Sequence, residues 1–182
     1  MNRKILLIGL ALAAVLMATP YVGMAHACTT SQPVNGVYFP TGVFSSLKIT
    51  TVSAKLQIWD VVAPMAWSGG ISGAGNYVGR WYVYNHDSPD MKIYGVGEWT
   101  LSATVDGKAG TLKIIGISVS TETTTNGCWT IICGTGGLAH LHGGGTYSED
   151  LTIMPPLPAY PYTGQVHFDP KIGNQHSTRD FS

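Results

Sequence analysis

The sequence predicts an all-β chain of roughly eight antiparallel strands, a sandwich or a barrel by strand spacing, with the glycine-rich stretch favouring a single closed barrel. Three observations predict it. Apolar and β-branched residues recur in short alternating runs, and no stretch sustains a 3.6-residue apolar period. Clusters of Gly, Asn, Asp and Pro punctuate those runs as turns. The stretch Gly134–Tyr147 packs six glycines around a short apolar core, the mark of a bent strand or a close backbone approach rather than a flexible linker.

Taken in order, residues 1–27 read as a cleaved signal peptide. Arg3 and Lys4 form a basic start, Ile5 to Met17 is an apolar run, and Ala25-His26-Ala27 supplies a small-x-small cleavage pattern. The run is too short to span a bilayer, which takes roughly 20 residues, although an uncut N-terminal anchor is the alternative. Cys28 would lead the mature chain and raises the idea of a lipid anchor, which Ala25 and His26 fit poorly. The expected location is secreted or extracytoplasmic, with residues 28–182 as one domain.

The chain has 182 residues, with 10 Lys and Arg against 10 Asp and Glu. Removing Arg3 and Lys4 leaves 8 basic against 10 acidic residues, a mature charge of −2. Nucleic-acid binding needs a basic stripe and is excluded on this balance. Scarce charge also opposes self-association only weakly. Cys128 and Cys133 bracket a four-residue strand, so their Cα atoms should lie about 16 Å apart on opposite faces, beyond the roughly 7 Å limit of a disulfide. Which of Cys28, Cys128 and Cys133 pair stays open.

Strands are expected over Val43–Val52, Lys55–Val62, Val78–Tyr84, Lys92–Val105, Gly110–Ser120, Gly127–Cys133, Leu138–Tyr147 and Tyr162–Phe168. Ser68-Gly69-Gly70 and Gly73-Ala74-Gly75 read as punctuation, and Met154–Pro161 as a stiff extended loop. Asp106-Gly107 is the preferred pair for a two-residue type I′ turn. Closing the hairpin there sets Val105 opposite Lys108, Leu101 opposite Leu112 and Trp99 opposite Ile114. Trp99, Leu101, Ala103, Leu112 and Ile114 then share the core face, and Glu98, Thr100, Ser102, Thr104, Thr111 and Lys113 the solvent face. Further out the polarity inverts where Gly97 meets Gly116. Either the strands kink there, which is the favoured reading, or Tyr94, Val96, Ile117 and Val119 form an outer apolar patch.

His140 and His142 share a strand face and could chelate with a third ligand such as His86, His167 or His176. The opposite parity of Ala139, Leu141 and Tyr147 turns that pair outward, and no metal set is assigned. Asn85, Asp87 and Asp90 lack the ladder of a calcium loop and read as turn formers. Glu149-Asp150 reads as a solvated loop. No nucleophile elbow or triad can be assembled, so no catalytic residue is assigned. Four of the five tryptophans, Trp59, Trp81, Trp99 and Trp129, fall in expected strands, and aromatics facing into a small barrel can wall a ligand cavity. Arg80, Tyr82 and Tyr84 share the face opposite Trp81.

The stretch Gly134-Thr-Gly-Gly-Leu-Ala-His-Leu-His-Gly-Gly-Gly-Thr-Tyr147 resembles the signature of a family of small uncharacterised bacterial proteins similar to allene oxide cyclase and dirigent barrels. Gly97-Glu98, Val105 to Leu112, Trp129-Thr130-Ile131 and Tyr162 to Phe168 extend the resemblance. It covers roughly residues 69–168; residues 28–68 supply N-terminal strands by analogy, and 169–182 a tail. The resemblance implies a calycin-like or allene-oxide-cyclase-like barrel of eight antiparallel strands, often oligomeric, and carries over no catalytic residue. His140 and His142 stand where that pattern has small and basic residues.

The leading expectation is a secreted, non-catalytic barrel that binds a small apolar or aromatic ligand against Trp81, Trp99, Leu101 and Trp129, with no cofactor. One alternative is a self-associating extracellular subunit, a homo-oligomer through Tyr94, Val96, Ile117 and Val119. The other is an isomerase or cyclase, which needs a polar group such as Glu98 or a tyrosine in the cavity with a perturbed pKa.

Overall fold

A computed structural model describes residues 30–151 and 159–169. The expected signal peptide, Cys28, residues 152–158 of the extended loop and the tail with His176 lie outside them.

Nine strands make up the described chain: β1 Gln32–Pro40, β2 Ser46–Ser53, β3 Leu56–Gly69, β4 Ile71–Tyr84, β5 Lys92–Val105, β6 Lys108–Ser120, β7 Thr124–Gly134, β8 Leu141–Asp150 and β9 Tyr160–Phe168. A three-residue 3₁₀ turn, Gly136–Leu138, precedes β8. Consecutive strands from β2 to β9 pair antiparallel, and β1 pairs with both β9 and β3. β1 and β2 share one edge of β3, β1 along Met65–Gly69 and β2 along Leu56–Val62. Two backbone bonds carry the ladder across the joint, Thr41 N–H to the Pro64 carbonyl at 3.0 Å and Ser45 N–H to the Val62 carbonyl at 2.8 Å. Nine strands therefore fill eight positions and close the barrel; among the described residues β2 has β3 as its one partner.

The Asp106-Gly107 hairpin has the register that its turn dictates: Leu101 opposite Leu112, Trp99 opposite Ile114. Asp106 and Gly107 have φ of 51° and 70°, the doubly positive pair a type I′ turn requires. The same register runs without a shift through Gly97 opposite Gly116 to Ile93 opposite Ser120. The inversion of polarity is therefore not a kink. Tyr94, Val96, Ile117 and Val119 stand on the outer face, between 38% and 56% exposed, as the second explanation required.

Other expectations need correction. Residues 71–77 are strand, not punctuation, and β3 runs through Trp67. β1 carries little alternation and was not among the expected strands. Ala139 is exposed in a turn, and Leu138 takes the inward place instead. Cys128 and Cys133 do not lie on opposite faces. Lys113 pairs with Cys133 and Ile114 with Ile131, so Ile132 is a bulged extra residue. The bulge resets parity, and both cysteines are exposed and free.

The barrel's two ends differ. At one end the β3–β4 and β5–β6 turns and the 3₁₀ turn cap a solid core of Ile71, Leu101, Leu112, Ile114, Leu138 and Leu141, each at most 1% exposed. Trp67, Trp129 and Tyr162 fill its centre, with ring centroids 4.7–6.0 Å apart. The Lys108 ammonium sits 3.4 Å from the centre of the Phe168 ring at its rim. At the other end Phe44 of the β1–β2 segment, Met91 of the β4–β5 turn, Thr121 and Glu122 of the β6–β7 turn and Leu151 after β8 border an opening.

Candidate functional site: an aromatic cavity at the open end

The cavity at the open end has a volume of about 340 Å³, within the range of small-molecule pockets. It exists because the inward positions of three strands become small past the middle of the barrel. On β6, Leu112 and Ile114 give way to Gly116, Ser118 and Ser120. On β5, Leu101 and Trp99 give way to Gly97 and Gly95, and on β7, Ile131 and Trp129 give way to Gly127 and Thr125. The polarity inversion at Gly97 and Gly116 therefore marks where the packed core ends and the cavity begins.

Aromatic rings lie directly against those glycines. A Cβ at Gly97 would fall 2.3 Å from the Tyr77 ring, one at Gly116 2.4 Å from Trp99, and one at Gly127 2.2 Å from Tyr147. Those three rings join Tyr38, Ala63 and Met65 in the deep wall, all 9% exposed or less. Tyr160 stacks on Tyr38 at 4.8 Å. Nearer the opening are Phe44, Trp81, Met91, Thr121, Glu122 and Leu151.

Hydroxyls supply nearly all of the cavity's polarity. The Tyr147 hydroxyl donates to the Ile117 carbonyl at 3.3 Å. The Trp81 indole N–H donates to the Tyr77 hydroxyl at 2.9 Å, and Thr125 donates to Ser120 at 3.0 Å. Burial pushes the Tyr77 and Tyr160 hydroxyls up to about 12 and raises those of Tyr38 and Tyr147. At neutral pH these phenols are therefore protonated hydrogen-bond donors.

Of the residues expected to wall a ligand, Trp81 and Trp99 line this cavity. Leu101 and Trp129 do not; they are 0% and 1% exposed within the packed half. Tyr38, Tyr77 and Tyr160 escaped the sequence reading because of their settings. Tyr38 lies in the unread first strand, Tyr77 follows glycines taken as punctuation, and Tyr160 sits between prolines. Glu149-Asp150 is not a solvated loop: both residues belong to β8, and Glu149 turns inward. It shares the inward parity of Tyr147 on β8 and is half-buried, accepting the Ala159 N–H at 3.1 Å. Its other carboxyl oxygen is buried with no hydrogen bond among the described residues, and burial raises its pKa. Parity alone could have turned it inward. Glu98 faces out, 2.8 Å from the Lys113 ammonium, whose bond holds its carboxyl below the ordinary range; it is not a cavity acid.

The remaining candidates lie outside the cavity. His142 is on β8 and His140 in the turn before it. His142 pairs instead with His167 across the ladder, with ring centroids 5.6 Å apart. Asp169 lies 3.0 Å from His142 and 3.7 Å from His167. Among the described residues, no three His, Cys, Asp or Glu side chains form a group able to hold a metal ion. Asn85 to Asp90 is a turn closed by the Ser88 N–H on the Asn85 carbonyl at 3.0 Å. Arg80 pairs with Asp60 on the outer face at 2.7 Å.

No protein-family model and no curated protein matches the chain. Among solved structures it resembles a crystal structure of a protein of unknown function from the DUF3224 family of Shewanella oneidensis MR-1. The TM-score is 0.54 at 12% identity, covering 78% of this chain and 99% of that one. At that identity the likeness carries the barrel fold and nothing finer.

Proposed function

We propose that this protein is an exported barrel that holds a small apolar or aromatic molecule in its open-end cavity without reacting it. One observation carries the reading: a cavity of about 340 Å³ walled by aromatic and thioether side chains in a barrel whose other half is solidly packed. Buried apolar walls favour an apolar guest by roughly 25 cal/mol for each Å² removed from water. The cavity phenols are protonated at neutral pH and offer hydrogen-bond donors to a guest. Export rests on the pattern of residues 1–27, and kinship to allene oxide cyclase or dirigent barrels on the Gly134–Tyr147 motif.

Native mass spectrometry after incubation with benzophenone, a neutral aromatic ketone, tests the reading. A saturable one-to-one adduct is expected. A bare chain at saturating benzophenone would contradict it.

Self-association is the second reading, favoured by the contiguous outer patch of Tyr94, Val96, Ile117 and Val119. Paired strands set these residues side by side, with Tyr94 opposite Val119 and Val96 opposite Ile117. Ile117→Asp places a charge at its centre. The variant should sediment as a monomer at concentrations where the native chain forms oligomers; a native chain that stays monomeric ends this reading.

A further inference from the structure

Resting on the binding reading above, the charge and hydroxyl pattern of the cavity narrows the guest. Among the described residues, its lining includes no Lys, Arg or His. The one carboxylate in that lining is Glu122. A second carboxyl, Glu149, lies close enough to Tyr160 to perturb its hydroxyl. A buried anion needs a paired charge or several charge-assisted donors, and losing hydration without them is costly. An anionic head group would meet only neutral phenols and alcohols here, with carboxylates beside them.

Among the described residues, two of those phenols have no acceptor for their proton. The Tyr77 oxygen accepts from the Trp81 indole, which leaves its own O–H free to donate. The Tyr160 hydroxyl has no hydrogen bond among the described residues, and it is close enough to Tyr77 for the two to interact electrostatically. Tyr147, by contrast, spends its proton on the Ile117 carbonyl. A carbonyl or ether oxygen of a ligand can accept from both the Tyr77 and Tyr160 hydroxyls, replacing bonds to water with bonds inside an apolar wall.

We propose that the cavity selects an uncharged molecule with an apolar body and a carbonyl or ether oxygen, received by the Tyr77 and Tyr160 hydroxyls, and that it rejects the corresponding carboxylate. Ketones and esters meet this description; free fatty acids and alkylammonium ions do not.

Isothermal titration of the whole protein with methyl decanoate, decanoate and decyltrimethylammonium tests the selection on one hydrocarbon skeleton. The ester should bind at least roughly tenfold more tightly than either ion, since one unpaired charge or one lost hydrogen bond is worth a factor of about ten. Tyr160→Phe keeps the ring and should weaken ester binding several-fold while leaving the melting temperature unchanged. Tyr77→Phe, which also frees the Trp81 N–H, serves as the second variant and should weaken the ester likewise. Decanoate binding as tightly as the ester overturns the rejection of anions, and tightest binding of the ammonium ion overturns selection for an uncharged guest. Ester binding untouched by both variants overturns the role of the hydroxyls. Binding of none of the three, together with a bare chain in the benzophenone experiment, removes the cavity reading itself and this inference with it.

Discussion

Tyr162 illustrates how much one hydroxyl does at the closed end. It accepts the Ile71 N–H at 2.9 Å and lies 3.1 Å and 3.3 Å from the carbonyls of Ile71 and Ser68, pinning the β3–β4 turn to β9. Tyr162→Phe keeps the ring but leaves a buried N–H unpaired, a loss of about 1–3 kcal/mol. The urea midpoint should fall accordingly, and an unchanged midpoint would show that the turn is held by other contacts. The cavity tyrosines give a second prediction at this scale. The hydroxyls of Tyr77 and Tyr160 are raised from 10.0 to about 12 by burial, so the folded chain holds their protons more tightly than the unfolded one. Their contribution to stability is present below pH 10 and is lost as pH rises from 10 towards 12. Thermal stability should decline over that window, and tyrosinate absorbance from these residues should appear late. Titration of every tyrosine near the ordinary value in the folded protein would contradict the burial.

At the scale of elements, glycines decide where strands can accept rings. Gly116→Ala would drive a methyl group into the Trp99 ring, 2.4 Å away, and Gly97→Ala one into Tyr77 at 2.3 Å. Each should cost about 1–3 kcal/mol as overpacking and displace a ring into the cavity. Reduced ligand affinity alongside the lower melting temperature is the expected outcome; a variant with native stability would mean that the rings are looser than described. The hairpin of β5 and β6 was fully legible in the sequence because Asp106-Gly107 fixes a two-residue turn and alternation propagates from it. The cavity was half legible. The inversion at Gly97 and Gly116 was visible, but sequence alone could not separate a kink from an unbroken strand whose inward side chains become small. Local signals failed where structure depends on distant partners. β1 is held by β9 and β3 rather than by its own alternation, and Ile132 bulges against Lys113 and Ile114, which moved Cys133 to the outer face.

For the whole molecule, the division into a packed half and a hollow half links fold to function. The chain closes into eight strand positions, aromatic and aliphatic side chains fill one end, and small inward residues open the other. Only the open half has both space and free donors, so a guest there can bind without disturbing the core. Lengthening Ser118, a half-buried residue of the cavity wall, should block that space while sparing the packed half. The most direct test of the binding claim is a fluorescence titration of the native protein and Ser118→Phe with Nile red, a neutral dye that brightens in apolar surroundings. One saturable site per chain is predicted for the native protein, with affinity at least roughly tenfold lower in the variant at an equal melting temperature. Equal binding by both proteins, or none by the native one, would contradict a ligand site inside the barrel.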